Sequence, residues 1–243
     1  RKKMDIIYIT LLTIAAGGIG TLTGFGTSTI MVPVLLLFLP LPQTLLLVGV
    51  IHWFGDIWKV LLFRQGVRWK LILLFGVTGV LASWIGAQVV LSVSDTLLSR
   101  VLGGFLLAYV ILILLKPDFN IPRKNTTALS GGGLSGFFAG IFGVGGAVRS
   151  MFLTAFDLPK AVYISTAGAI AFLIDSTRIT TYLANGTTLD TRLYWGFLLF
   201  IPASLAGAAL AKKVVERIPQ NRFRMVVGFF LLAAGLKLLL FPG

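Results

Sequence analysis

The feature that most constrains this chain is a pair of long hydrophobic runs, each interrupted by glycine. The first run extends from Ile6 to Leu39 and is broken by the sequence GTLTGFGT at residues 20–27. The second extends from Ala128 to Phe156 and is broken by GIFGVGG at residues 140–146. Within lipid, irregular backbone is stable only where protein or a water-filled cavity satisfies its polar groups. Each break therefore predicts a turn buried inside a membrane-embedded segment.

The two breaks correspond under one shift of the numbering. Subtracting 119 aligns three residues of the second break with three of the first: Gly143 with Gly24, Gly145 with Gly26, and Gly146 with Thr27. Glycine breaks at corresponding places in two halves indicate the binding site of a transporter. Alternatively, the glycines only allow helices to pack closely, as small residues four positions apart do. The GxG and GVGG spacings do not follow that four-residue period, which favours the first interpretation.

Composition indicates a membrane protein. Of the 243 residues, 57% are hydrophobic and 12% are charged, whereas a soluble domain has roughly 25% charged residues. Long apolar segments predict an all-α polytopic membrane protein with membrane lipid as a partner. The net charge of +13 comes from basic residues scattered between apolar runs, which predicts orientation signals rather than a nucleic-acid partner. With no cysteine and one histidine, neither a metal site nor a cofactor is predicted.

The duplication extends over the whole chain. Apolar segments occur at 6–22, 27–39, 44–63, 70–91 and 97–115, and again at 128–142, 146–156, 161–183, 194–212 and 223–241. Residues 6–39 are too few for two full crossings of about 20 residues each plus a turn. Each half is therefore predicted to contain a glycine-broken, re-entrant-type helical hairpin and three transmembrane helices. The predicted units are a first membrane repeat at 1–116, a connector at 117–127 and a second membrane repeat at 128–243.

Three crossings in each half give the two repeats opposite orientations, which makes them inverted repeats. With the N-terminus outside, twelve Lys and Arg residues fall in inner loops and five in outer segments, as the positive-inside rule requires. The basic residues 1–3 argue for the opposite orientation. The sequence thus predicts a multi-pass protein with its N-terminus outside, and it leaves open a homo-oligomer.

Two acid–base pairs lie deep in apolar segments at corresponding places, Asp56 with Lys59 and Asp175 with Arg178. A spacing of three residues places the members of each pair on one helix face. Ionisable groups within the membrane are costly and mark functional sites by default, although each pair could simply neutralise itself so that its helix inserts. The repetition favours a shared central site, where the two cations bind an anion and the two carboxylates are candidate proton carriers.

Four further polar residues lie close to the breaks or to these pairs. Arg149 follows Gly146 by three residues, at a helix N-terminus whose partial positive charge and free N–H groups bind anions; its alternative role is an inter-helix salt bridge. Thr27 and Ser28 are predicted to cap the equivalent helix after the first break and to offer hydroxyl donors. His52 lies one turn before Asp56, and it is either a third candidate proton carrier or a packed histidine.

The order of these motifs resembles one known family. The first break is followed by Val32 and Pro33, and each half continues into a Leu-Pro pair, at residues 41–42 and 158–159. Together with the duplicated glycine hairpin, this order is similar to the TauE/SafE sulfite exporter family over residues 6–241. The resemblance implies a permease for sulfite or a related sulfur-containing anion, such as an organosulfonate, in the plasma (inner) membrane of a prokaryote. Two places depart from the family pattern: Arg149, where an apolar residue is expected, and residues 26–28, where a run of glycines is expected.

The predicted function is a secondary transporter, by resemblance an exporter, of a small sulfur-containing anion. The anion site is expected at the midplane between the two breaks, lined by Gly24, Gly26, Thr27, Ser28, Gly143, Gly145, Gly146, Arg149, Lys59 and Arg178. A proton carried by Asp56, Asp175 or His52 is the candidate coupling ion. A passive anion channel of the same architecture is the alternative. An enzyme is not predicted, because the sequence contains no clustered catalytic set. Alanine at Gly131 or Gly132, away from the break, is expected to be mild.

Overall fold

A computed structural model describes residues 5–115, 121–214, 232–233, 235–236 and 238–240 of the chain. This part contains α-helices, one 3-10 turn at Thr154–Phe156 and no strand, so the all-helical prediction is confirmed for it. The first five helices are α1 Ile6–Thr23, α2 Thr27–Leu35, α3 Leu41–Leu62, α4 Trp69–Ser92 and α5 Asp95–Leu115. The next four are α6 Asn125–Phe142, α7 Gly145–Leu153, α8 Lys160–Ala184 and α9 Thr191–Val214. Most of the predicted segment 223–241 and part of the connector 117–127 lie outside the described residues.

Glycines in the left-handed conformation end the first helix of each hairpin. Gly24 follows α1 with a φ of 73°, and Gly143 follows α6 with a φ of 70°. Side chains are disfavoured at positive φ, so both turns favour glycine. α1 and α6 each contain 18 residues, and α2 and α7 each contain 9. The same helix–turn–helix geometry therefore recurs at the two predicted places.

The start of α2 differs from the sequence prediction. Gly26 occupies the N-cap position with a φ of 81°, and no side chain caps the helix. Thr27 and Ser28 are the first two helical residues, and both are buried. The prediction that they cap α2 is wrong, because the glycine ahead of them turns the chain. The Thr29 hydroxyl instead donates to the carbonyl oxygen of Phe25 at 2.6 Å.

Helix length and surface chemistry both fit a lipid environment. Four of the described helices, α1, α3, α4 and α9, are long and apolar enough to cross a membrane by length and composition. α2 and α7 are only about 13.5 Å long at 1.5 Å per residue, so neither spans a hydrocarbon layer of about 30 Å. Large apolar side chains on the outer faces are exposed, such as Leu73 of α4 and Trp195 of α9. A soluble monomer rarely carries such extensive apolar surface.

Glycines also bring helices of the two halves into backbone contact. α4 packs on α6, and α1 packs on α9. A β-carbon on Gly136 or Gly140 of α6 would overlap the carbonyl oxygen of Gly79 or Ser83 in α4. Close approach of this kind is how helices associate in lipid, where van der Waals packing takes over from the hydrophobic effect. Close packing thus accounts for the glycines within α6.

The expectation that alanine is mild at Gly131 and Gly132 is wrong. A β-carbon at Gly132 would overlap the carbonyl oxygen of Phe75, and one at Gly131 would lie 2.7 Å from the Phe75 ring. Both glycines belong to the contact between α4 and α6. Their distance from the turn in sequence therefore says nothing about the room available for a methyl group.

The connections gather at two ends of the bundle, and one end is strongly basic. At one end, Arg192 forms an exposed ion pair with Asp5 at 2.9 Å. At the other, the Ser165 hydroxyl donates to the carbonyl oxygen of Gly66 at 2.6 Å. Two clefts at this second end are lined by basic residues predicted for inner loops: Arg64, Arg68, Lys70, Arg123, Lys124, Lys160 and Lys212.

Candidate functional site

The contact between α3 and α8 brings the two predicted acid–base pairs together in the core. Within α3, Lys59 Nζ donates to Asp56 Oδ1 at 2.8 Å. Within α8, Arg178 Nε donates to Asp175 Oδ1 at 2.7 Å. All four side chains are at most 5% exposed. The i, i+3 pairing expected from the sequence is therefore present in both helices.

His52 joins the two pairs. Its Nδ1 lies 2.6 Å from Asp175 Oδ2 on the other half of the chain and 3.6 Å from Asp56 Oδ2 on its own helix. His52 is 2% exposed, and its Nε2 has no hydrogen-bond partner among the residues that the structure describes. His52 therefore hydrogen-bonds the Asp175–Arg178 pair and lies beside the Asp56–Lys59 pair, whose Asp56 Oδ2 has no hydrogen-bond partner among the described residues. The two pairs thus form one buried cluster of charges around the imidazole.

Two glycines that the sequence analysis did not single out make this crossing close. A β-carbon at Gly49 of α3 would lie 3.4 Å from Arg178 Nη1, and one at Gly168 of α8 would lie 3.1 Å from Lys59 Cβ. Each basic residue thus packs against a glycine of the opposite half. Gly49 and Gly168 are 119 positions apart (168 − 49). The shift that aligned the two breaks was therefore a signal that could have identified them.

The two glycine turns touch each other. A β-carbon at Gly146, at the start of α7, would overlap the carbonyl oxygen of Phe25 in the first turn. A β-carbon at Gly145 would overlap the carbonyl oxygen of Ser135 in α6. Both glycines therefore have a packing role, the alternative that the sequence left open. The contact also leaves no room for a ligand at the point where the turns meet, so a ligand between them would have to lie to one side.

The remaining turn glycines lie close to the buried cluster of charges. A β-carbon at Gly26 would lie 2.6 Å from His52 Nε2, and one at Gly143 would lie 3.0 Å from Leu45 and Val32 and 3.4 Å from Arg178 Nη1. The first turn therefore meets the cluster at His52, and the second meets it at Arg178. The Nη1 and Nη2 atoms of Arg178 are buried and make no hydrogen bond within the described residues. Gly24 faces the ring of Tyr163 instead, at 2.6 Å from such a β-carbon.

Arg149 is buried in α7 without a counter-ion among the described residues. The side chain is 2% exposed, its Nε has no hydrogen-bond partner, and none of the ion pairs in this part of the chain includes it. α7 packs on α2, which begins after the first turn, and on α8, which carries Arg178. An uncompensated buried charge is expensive, so this arginine favours an anionic ligand over the predicted alternative of an inter-helix salt bridge.

His52, Asp56 and Asp175 also bring three possible metal ligands within 4.8 Å of one another. Lys59 and Arg178 already pair with the two carboxylates. A metal ion would have to compete with both cations at close range, where like charges repel strongly. The charge balance therefore favours an ion-pair network at this position over a metal centre.

Comparison with protein families gives one match that covers nearly the whole chain. A model described as sulfite exporter TauE/SafE matches residues 9–238. This range includes both glycine turns, both acid–base pairs, His52 and Arg149. No curated protein matches the chain.

Proposed function

The chain belongs to the TauE/SafE sulfite exporter family, and from that premise we propose that it transports sulfite or a related small sulfur-containing anion across the plasma membrane of a prokaryote. Membership makes the protein a multi-pass membrane transporter of the sulfite-exporter type. The proposal adds a binding site beside the two glycine turns, where Arg149, Arg178 and Lys59 replace the water around the anion. It also adds a proton as the coupling ion.

The observation that carries this proposal is the charge of the buried core. The described core contains three buried cations, Lys59, Arg149 and Arg178, and two buried carboxylates, Asp56 and Asp175. The carboxylates pair with Lys59 and Arg178, so the positive charge of Arg149 is left over. The first backbone N–H groups of α2 and α7 add partial positive charge at the turns. A small anion complements this arrangement, whereas a cation or a neutral lipid does not.

We further propose that the two halves are inverted repeats related by a two-fold axis in the membrane plane. The support is reciprocal contact, since a two-fold axis requires that if residue i contacts residue j, the counterpart of j contacts the counterpart of i. Arg178 lies against Gly49, and Lys59 lies against Gly168. Such an axis would place the site at the interface of the repeats, as in other transporters with inverted repeats.

The decisive experiment compares anion binding and stability for Arg149→Met. Methionine is apolar and of similar length, so it removes the charge without opening a large cavity. We expect the variant to lose saturable uptake of sulfite, thiosulfate, sulfate and a sulfonate into reconstituted liposomes. In detergent without any anion, however, it should unfold at the same temperature as the wild type or higher, because an unpaired buried charge has been removed.

Arg149→Lys and Arg192→Ala complete the test. Lysine keeps the charge but lacks the planar fork that holds two oxygens of an oxyanion, so only part of the transport should return. Arg192 is exposed, and its loss should change neither property. Lower stability of Arg149→Met together with unchanged uptake would show that Arg149 is a structural salt-bridge residue. Uptake that never saturates would instead favour a channel.

A further inference from the structure

We propose that His52 is itself an anion ligand and that it makes the site bind each oxyanion together with one proton. This inference rests on the proposed function, and it names the species that the site accepts. When His52 is neutral, the site takes a protonated oxyanion. When His52 is charged, the site takes an oxyanion without a proton. In either case the loaded site contains one transferable proton.

The contacts of His52 Nδ1 determine which ring nitrogen carries the hydrogen when the imidazole is neutral. Nδ1 lies 2.6 Å from Asp175 Oδ2 and 3.6 Å from Asp56 Oδ2. Asp175 also accepts a hydrogen bond from Arg178 Nε through its other oxygen. A carboxylate paired in this way offers only acceptors, so the hydrogen between it and the imidazole belongs to Nδ1. The neutral ring consequently carries its lone pair on Nε2.

The surroundings of Nε2 identify what it faces. This atom is buried without a hydrogen-bond partner in the described part of the chain, and it lies 2.6 Å from the position that a β-carbon on Gly26 would take. Gly26 is the N-cap of α2, so the free N–H groups of that helix begin at the next residue. The hydroxyl oxygen of Thr27 faces the same side of α3, 3.7 Å from a β-carbon built on Gly55. A helix N-terminus and a buried, unpaired ring nitrogen therefore meet at one place.

The charged groups around His52 balance one another. Asp56 and Lys59 flank it on α3, Asp175 and Arg178 face it from α8, and residues 25–28 of the first turn carry no titratable side chain. With both pairs formed, the neighbours contribute no net charge. The protonation state of His52 therefore decides whether Nε2 presents a donor or a lone pair to the ligand.

The consequence is a strict rule for hydrogen bonding at Nε2. A neutral His52 accepts a hydrogen bond from an S–O–H group but repels an unprotonated oxygen, which also offers lone pairs. A protonated His52 donates to an unprotonated oxygen. The only bond that forms or breaks in the protein is the N–H bond at Nε2. The proton arrives either on the anion or from an acid of the solvent onto the Nε2 lone pair, and it leaves by the same choice of routes.

The test measures protons taken up when the purified full-length protein binds methanesulfonate, an anion that holds no proton near neutral pH. Titration calorimetry in two buffers with different ionisation enthalpies gives this number directly. We expect about one proton to be taken up for each anion bound at about pH 9. Wherever the anion binds together with one proton, the Kd should rise about tenfold for each unit by which the pH is raised. Sulfite at about pH 9, where it is unprotonated, should also bind with about one proton.

Two variants test which side chain takes up the proton. His52→Gln retains a polar side chain but cannot titrate, so methanesulfonate should bind without proton uptake at any pH. Arg192→Ala, an exposed substitution outside the buried cluster, should leave the proton uptake of the wild type intact. Binding by the wild type without proton uptake at about pH 9 would overturn this inference and leave the anion site standing. Proton uptake that persists in His52→Gln would assign the proton to another group and would also overturn it. Failure of every anion to bind would refute the proposed function and this inference with it.

Discussion

Asp175→Asn is the substitution for which the structure predicts the largest loss of stability in the cluster. Asp175 accepts hydrogen bonds from Arg178 Nε at 2.7 Å and shares a hydrogen with His52 Nδ1 at 2.6 Å. The side chain of Arg178 is fully buried, and its other nitrogens have no hydrogen-bond partner among the described residues. An asparagine has nearly the same shape, so the substitution removes the charge without creating a cavity.

The magnitude follows from what the guanidinium loses. Two unit charges about 4 Å apart attract each other by about 4 kcal/mol at the effective dielectric constant of about 20 that suits protein sites. Leaving one partner of a buried pair without the other costs about 3–5 kcal/mol in measured cases. For a domain of this size, that corresponds to a fall of roughly 6–20 °C in the unfolding temperature.

Asp56→Asn is the matched comparison, and thermal unfolding in detergent without anion is the assay. Lys59 has a flexible stem and is 5% exposed, so its ammonium can move toward water when its partner is lost; Asp56→Asn should therefore cost less than Asp175→Asn. Adding Arg178→Gln to Asp175→Asn should recover part of the loss, because the uncompensated charge is then gone. Equal losses for the two single variants, or no recovery in the double variant, would refute this account of the cluster.

Two further predictions concern packing and topology. Gly146→Ala should lower the unfolding temperature strongly because its methyl group overlaps the Phe25 carbonyl oxygen. Gly104→Ala, whose methyl group meets no described atom within 4 Å, should be neutral or stabilising by up to about 1 kcal/mol. Equal stability of the two variants would show that the turns move apart easily. The chain has no cysteine, so Gln65→Cys and Thr188→Cys, both exposed, can be labelled with a membrane-impermeant maleimide in intact cells. Only Thr188→Cys should react, and labelling of Gln65→Cys alone would reverse the predicted orientation.

Much of the helical framework could be predicted from the sequence, because lipid imposes few and simple constraints. Apolar runs of spanning length have to be helices when no water is present to satisfy the backbone. Glycine placed the ends of α1 and α6, at Gly24 and Gly143, since only that residue adopts positive φ easily. The i, i+3 acid–base pairs followed from helical geometry alone.

Contacts between separate segments of the chain could not be predicted in the same way. Nothing in the local pattern distinguishes Gly145 and Gly146 as packing residues, because the atoms that they touch belong to Ser135 and Phe25. The same reason explains the error at Gly132, whose neighbour is the backbone of Phe75 on another helix. In each case the packing role of the glycine depends on which residue lies next to it in the folded chain. In the sequence, only the 119-residue shift indicated such neighbours, as it does for Gly49 and Gly168.

The symmetry of the core separates residues that hold the halves together from residues that give the site its chemistry. Both halves contain an acidic residue, a basic residue and a glycine at corresponding places, which in the first half are Asp56, Lys59 and Gly49. The charges within each acid–base pair cancel. His52 and Arg149 have no such counterpart, since the same shift pairs them with Ala171 and Ile30. Both residues are buried, and neither His52 Nε2 nor Arg149 Nε has a hydrogen-bond partner among the described residues, a property that Asp56 Oδ2 and the terminal nitrogens of Arg178 share. A structural device can be duplicated with its repeat, but a site that binds one anion with one proton needs a single excess charge and a single titratable nitrogen. In the function proposed above, Arg149 supplies the excess charge and His52 supplies the titratable nitrogen, from opposite halves of the chain.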